Sequence, residues 1–173
     1  MWRGRTAHTT TSRRFRGRGG GGRAGGVEQG LRVGMGGAGL CPEGLALTFP
    51  PAEGLPRLRV LDSTDPQQIK TVEDELDLAK TLFFVSSKSG TTLEPNIFAA
   101  YFHARLTNLL GAEEASRRFI TITDPGTPLE SLATAAGYRA VFHGSPSVVS
   151  RSSAPSGCGL PPGHATALTR VGC

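Results

Sequence analysis

The sequence predicts an α/β fold, an open, doubly wound parallel sheet of five strands flanked by helices. Three observations carry that expectation. Short apolar runs alternate with longer stretches of helical period, four of the runs end in small polar or glycine-rich turns, and "LFFV" (82–85) is apolar on consecutive rather than alternate positions. Strands separated by helices pair in parallel, because each crossover returns the chain to the same end of the sheet. A run apolar on both faces suits a strand covered on both sides.

The elements follow in order. "LRVGMGG" (31–37) reads as a first strand ending in glycines, and "LRVLDST" (58–64) as a second ending in small polar residues. "TVEDELDLAK" (71–80) reads as a helix with Leu76 and Leu78 near one side and acids on the other, and "TLFFVSS" (81–87) as a third strand. In "EPNIFAAYFHARLTNLL" (94–110), Ile97, Phe98, Tyr101, Phe102, Leu106, Leu109 and Leu110 fall on one stripe at helical spacing, stopped by Gly111. "RFITITD" (118–124) is a fourth strand, "PLESLATAAG" (128–137) a helix ended by Gly137, and "YRAVFHG" (138–144) a fifth strand.

Charge divides the chain unevenly. Residues 1–30 hold seven arginines against Glu28, 7 − 1 = +6, whereas the other 143 residues carry 12 basic and 13 acidic groups, or −1. The sequence pI of about 9.6 is therefore a property of the leader, and a basic nucleic-acid surface on the folded part is not expected. "RRFRGRGGGGRAGG" (13–26) has no hydrophobic period and is expected to be disordered. The predicted organisation is a disordered Arg/Gly-rich leader (1–30), one α/β domain (31–162) and an irregular tail (163–173). Three cysteines at wide spacings, Cys41, Cys158 and Cys173, point to neither a disulfide framework nor a zinc site. With no apolar run of membrane-spanning length and no signal-peptide core, a cytoplasmic protein with no membrane partner is the expectation.

Ligands of open α/β sheets bind beyond the carboxyl ends of the strands. The turns there are Gly34 to Gly39, Asp62 to Thr64, Ser86 to Thr92 and Thr123 to Gly126. In the third, Ser87, Ser89, Thr91 and Thr92 supply hydroxyls, Lys88 a positive charge, and Gly90 a backbone free to approach a ligand. Glu94 and Pro95 open the next helix, whose N–H groups and dipole favour an anion such as a phosphate monoester. A helix cap alone needs one hydroxyl, and four are present. The Gly-x4-Gly-Lys-Ser/Thr spacing of nucleotide P-loops is missing, so a nucleoside triphosphate is not indicated.

"SKSGTTLEP" (87–95), preceded by "GMGGAGLCP" (34–42), resembles the two signatures of the glucose-6-phosphate isomerase family, Ser-Lys-Thr/Ser-x-Thr-Thr-x-Glu-Thr/Pro and Gly-x-Gly-Gly-Ser-x-Leu-x-Pro. "VLDSTDP", "FITITDPGTPLE" and "VFHG" further resemble a bacterial branch in which the isomerase is often fused to a transaldolase. The resemblance runs from about Val33 to about Pro162, and neither the leader nor the tail shares it. It implies a sugar isomerase domain that binds glucose 6-phosphate and fructose 6-phosphate in glycolysis and gluconeogenesis, without a cofactor or metal, and a homodimer as in the family. Carried over by position, Ser87, Lys88, Ser89 and Thr92 would hold the sugar phosphate, with Thr91 behind them. Gly36 and Gly37 would bring the first loop to the sugar, and Ala38 replaces the family serine, the loss of a hydroxyl contact of about 1 kcal/mol. In "VSRSSAPSGCGLPP" (149–162), Arg151 takes the place of the arginine that stabilises the enediolate, although Val149 and Ser150 replace two glycines and Ser152 a tyrosine. The family's base glutamate, ring-opening histidine and chain-end lysine would follow beyond this sequence. The expectation is thus a fragment with the phosphate-binding half of an isomerase site. Alternatives are a non-catalytic sugar-phosphate-binding regulatory module, or RNA binding through the leader.

Overall fold

The computed structural model describes residues 26–35 and 57–144. Strands β1 (Gln29–Val33), β2 (Arg57–Leu61), β3 (Thr81–Ser86), β4 (Phe119–Thr123) and β5 (Ala140–His143) form one five-stranded sheet in the order β2-β1-β3-β4-β5. Every pairing is parallel. Helices α1 (Pro66–Glu75), α2 (Leu93–Leu110), α3 (Ala112–Arg117) and α4 (Pro128–Ala135) lie between the strands. From β1 the chain steps outward to β2, then returns past β1 to β3 and continues the other way. The winding therefore reverses between β1 and β3, where loops diverge and a crevice opens.

β3 is buried along its whole length. Phe83 and Val85 face one side with Leu31, Val33, Phe119 and the α2 residues Phe98, Phe102 and Leu106. Leu82 and Phe84 face the other with Ile120, Leu58 and Phe142. The consecutive apolar run thus serves both faces, as its pattern predicts. Phe83 stacks on Phe119 with ring centroids 5.0 Å apart and tilts against Phe102 at 5.2 Å. Residues of α2, α3 and α4 (Phe98, Ala99, Phe102, Leu106, Ala115 and Leu129) are buried in this first face, and α1, which has no buried residue, packs against it through the partly buried Ile69 and Val72. Arg32, at the centre of the sheet, is fully buried, which its place in "LRV" did not signal.

Boundaries differ from expectation in four places. β1 begins at Gln29, two residues ahead of the expected start of the domain, and ends at Val33, where the turn from Gly34 was expected. The first helix covers 66–75 rather than 71–80, because the Asp65 side chain accepts from the Gln67 N–H at 3.1 Å and Pro66 occupies the first turn. The chain leaves that helix at Leu76, and Asp77 caps a 3₁₀ turn at Leu78–Lys80; both leucines are buried, but outside the helix. The α2 stripe is also narrower than predicted. Seven positions at about 100° per residue span more than half the helix circumference, wider than one packing face. Pro95, Phe98, Ala99, Phe102 and Leu106 are buried, whereas Ile97 and Leu109 are 50% and 60% exposed and Tyr101 is also exposed. Finally, Gly111 at φ +85° ends α2 and starts the short helix α3, where the sequence reading had only a stop.

His103 sits at the boundary of the core. Its Nε2 lies 3.0 Å from the Ser116 hydroxyl, and its ring packs against Phe119 and Tyr138. Burial pushes its pKa below the ordinary value of 6.5. A base whose folded pKa is depressed stabilises the fold above its unfolded pKa, and loses that contribution as pH falls from 6.5 through the folded value.

Two outcomes follow. Phe83→Ala should cost about 3–5 kcal/mol in urea unfolding, because it empties the ring site between Phe102 and Phe119, and Phe83→Leu clearly less. His103→Gln should flatten the fall in unfolding free energy between about pH 7 and pH 5 relative to the parent chain; an unchanged slope would place the titration elsewhere.

Candidate functional site

The loop between β3 and α2 lies at the reversal of winding. Its Ser87 N–H donates to the Ile122 carbonyl at 3.1 Å, which extends the β3–β4 pairing one residue past β3. The chain then turns at Gly90, whose φ of +69° is a left-handed conformation that L side chains rarely adopt. Gly90 also lies against the start of α4, where an added Cβ would stand 2.7 Å from Thr127 Cβ and 2.9 Å from its hydroxyl. Asn96 donates its side-chain amide to the Gly90 carbonyl at 3.2 Å and ties the turn to the first turn of α2.

The hydroxyls bond among themselves. Ser87 Oγ donates to Thr92 Oγ1 at 3.1 Å, and Ser89 Oγ and Thr91 Oγ1 share a bond of 2.9 Å. Thr92 occupies the N-cap position of α2 yet makes no side-chain cap hydrogen bond. The first turn of the helix therefore keeps its N–H groups uncapped by any side chain, the arrangement that suits an incoming anion. Ser87, Lys88, Ser89 and Thr92 line a pocket of about 380 Å³, together with Ser86, Met35 after β1 and Asp124 after β4. The Ser86 hydroxyl is buried with no hydrogen-bond partner among the described residues. Thr91 stands behind Ser89 instead of lining the pocket. Gly36, Gly37, Ala38 and Arg151 lie outside the described residues.

Asp124 is the residue that sequence reasoning passed over, although it belongs to the Thr123 to Gly126 turn singled out above. Its Oδ2 meets Lys88 Nζ at 2.9 Å, and its backbone N–H donates to the Lys88 carbonyl at 3.1 Å. Lys88, expected to add positive charge to the loop, is thus ion-paired with Asp124. Glu94 falls in the first turn of α2, as expected. His143, at the end of β5, pairs with Glu130 at 2.6 Å. The Gly126 N–H first, at 2.6 Å, and then His143 hold the Glu130 carboxyl below its usual range.

Gly90→Ala should destabilise the chain by at least about 1–2 kcal/mol from the left-handed backbone alone, with more from the clash at Thr127. Thermal unfolding checks the loss, and Gly126→Ala offers a control of the same backbone conformation, because nothing lies within 4 Å of a Cβ added there; the Gly90 variant should melt lower than the control.

Comparison with known proteins joins this geometry to a family. The Phosphoglucose isomerase family profile matches residues 8–165. That range begins inside the leader, which the motifs had left without resemblance, and so corrects that expectation. A glucose-6-phosphate isomerase of Synechococcus sp. (strain JA-3-3Ab) is 34% identical over 134 residues, 76% of this chain and 25% of the relative. The glucose-6-phosphate isomerase of Chlamydia trachomatis serovar D is 33% identical over 129 residues, 73% of this chain and 23% of the relative. The chain therefore spans about a quarter of the length of these relatives. Among solved structures, a glucose-6-phosphate isomerase from Chlamydia trachomatis superposes with a TM-score of 0.79 at 28% identity, covering 92% of this chain and 30% of that one. A hypothetical protein from Thermus thermophilus gives 0.78 at 31% identity, covering 92% and 36%. With its parallel sheet, its hydroxyl-rich loop at the winding reversal and this match over most of its length, the chain belongs to the phosphoglucose isomerase family.

Proposed function

We propose that this chain forms the sugar-phosphate-holding part of a glucose-6-phosphate isomerase, acting on glucose 6-phosphate and fructose 6-phosphate in the cytoplasm. One observation carries the reading: the hydroxyls of Ser87, Ser89 and Thr92 converge, with the uncapped N-terminus of α2, on one pocket at the reversal of winding. A phosphate monoester offers several acceptor oxygens and up to two negative charges, which matches that set of donors. The internal bonds Ser87–Thr92 and Ser89–Thr91 keep the hydroxyls in place without a ligand, and each can rotate toward one.

Isomerisation moves a proton between C1 and C2, and a base must stand within about 3 Å of the carbon-bound proton. Of the described residues that line the pocket, only Asp124 carries a carboxylate, and it is held by Lys88. The described site therefore binds and orients the phosphate end of the substrate but supplies no free base. General acid–base participation contributes typically about 10²–10⁴-fold, so this chain alone is expected to bind the sugar phosphate with little turnover.

Calorimetry with fructose 6-phosphate and a coupled assay of isomerisation test both parts. Thr92→Val should weaken binding by about tenfold or more, the loss of one hydrogen bond to a charged group, while stability changes by no more than about 1 kcal/mol, because Thr92 does not cap α2. Unchanged affinity, or turnover of about one per second from the purified chain, would overturn the reading.

A further inference from the structure

We propose that Asp124 sets the charge of the phosphate pocket: by holding the Lys88 ammonium in an ion pair, it leaves the described lining of the pocket neutral, and recognition of an anion by these residues rests on hydroxyls and helix N–H groups. The inference rests on the sugar-phosphate reading above and deepens it. Of the described residues lining the pocket, Lys88 and Asp124 alone are charged, so the local balance is 1 − 1 = 0. The two are gripped at both ends. The Asp124 N–H donates to the Lys88 carbonyl at 3.1 Å, the Thr123 hydroxyl reaches the same carbonyl at 3.4 Å, and the Asp124 carboxylate takes the ammonium at 2.9 Å.

The carboxylate is itself placed by its surroundings. Its second oxygen, Oδ1, is buried with no hydrogen-bond partner among the described residues. A Cβ added at Gly144 would stand 2.7 Å from that oxygen, so the glycine of "VFHG" leaves the room the carboxylate occupies. Main-chain bonds hold the loop independently of the Asp124 charge, so Asp124→Asn removes the charge and keeps the frame. A lysine ammonium rides on a flexible four-carbon stem. Freed from Asp124, it can turn to the anion, and the repulsion of a carboxylate at the pocket wall disappears with it.

The test is a double-mutant cycle on the full chain, titrated calorimetrically with fructose 6-phosphate and with inorganic phosphate at about 0.05 M and about 0.3 M salt. Asp124→Asn should bind about 5- to 30-fold tighter, the size of one unit charge removed several ångströms from the anion, and its affinity should fall more steeply with salt. Lys88→Met alone leaves the Asp124 carboxylate unpaired at the pocket wall and should bind about 5- to 30-fold weaker, whereas Lys88→Met added to Asp124→Asn should cancel the gain and return the affinity to within about threefold of the parent. A purely structural role for Asp124 would move the melting temperature and leave the salt dependence alone. If Asp124→Asn does not fold, Asp124→Ser serves in its place with the same expected gain, and a steep salt dependence of the parent chain would by itself overturn the inference. Equal or weaker binding by a folded Asp124 variant, or a double variant that binds more than about tenfold weaker than the parent, overturns it too. Failure of the parent and all variants to bind either anion would instead overturn the sugar-phosphate reading and this inference with it.

Discussion

Burial of β3 on both faces is the constraint on which the rest depends. A strand with no solvated face packs its odd residues into one apolar layer and its even ones into another, and Phe83 and Phe84 do so here. Its two neighbours, β1 and β4, then pair with it along their lengths. Because β1 and β3 are neighbours while β2 lies beyond β1, the carboxyl ends of β1 and β3 lie where the winding reverses, the place at which connections in such sheets diverge. The chemistry of the chain is gathered there because topology leaves the space open.

The same burial explains why the polar loop is firm. Ser86 is the last residue of a strand that cannot move without exposing its core, and the N–H of Ser87, one residue further on, is already committed to β4. From that anchor the loop rests on two further supports, Gly90 against Thr127 and Lys88 against Asp124. Both supports come from the β4–α4 connection. Loops after adjacent parallel strands thus brace each other, and a hydroxyl cluster that would wander on an isolated hairpin is held in register with a helix N-terminus. Preorganised donors of this kind lose little freedom when a ligand arrives.

Glu130 shows the same economy at the rim. One oxygen accepts from the Gly126 N–H and the other meets His143, so a single side chain in the first turn of α4 closes the β4 turn and fastens the end of β5. The Thr127 hydroxyl caps α4 through the Glu130 N–H and meets Thr123 at 2.8 Å. Apart from the contact to His143, these bonds lie between residues three or four positions apart, and the phrase "TDPGTPLE" contains the turn residues and the helix start that they require.

Local chemistry was therefore readable in the chain itself. The apolar runs, the helix between Glu94 and Leu110, the glycine turns and the serine–threonine cluster all express interactions between residues within a few positions of one another, and the order of these elements implies a parallel sheet. Short-range signals also held the start of α1 in "STDP", although the acidic run that follows drew attention away from it. What the sequence could not determine depends on distance in space. That Lys88 meets Asp124 across 36 positions, that Gly90 must be small because Thr127 stands over it, and that Ile97 and Tyr101 face away from the core while Phe98 and Phe102 enter it follow only from how β3, β4, α2 and α4 pack together. Periodicity fixes which residues share a helix face, but only the tertiary packing decides which part of that face is covered and which charges are brought within reach.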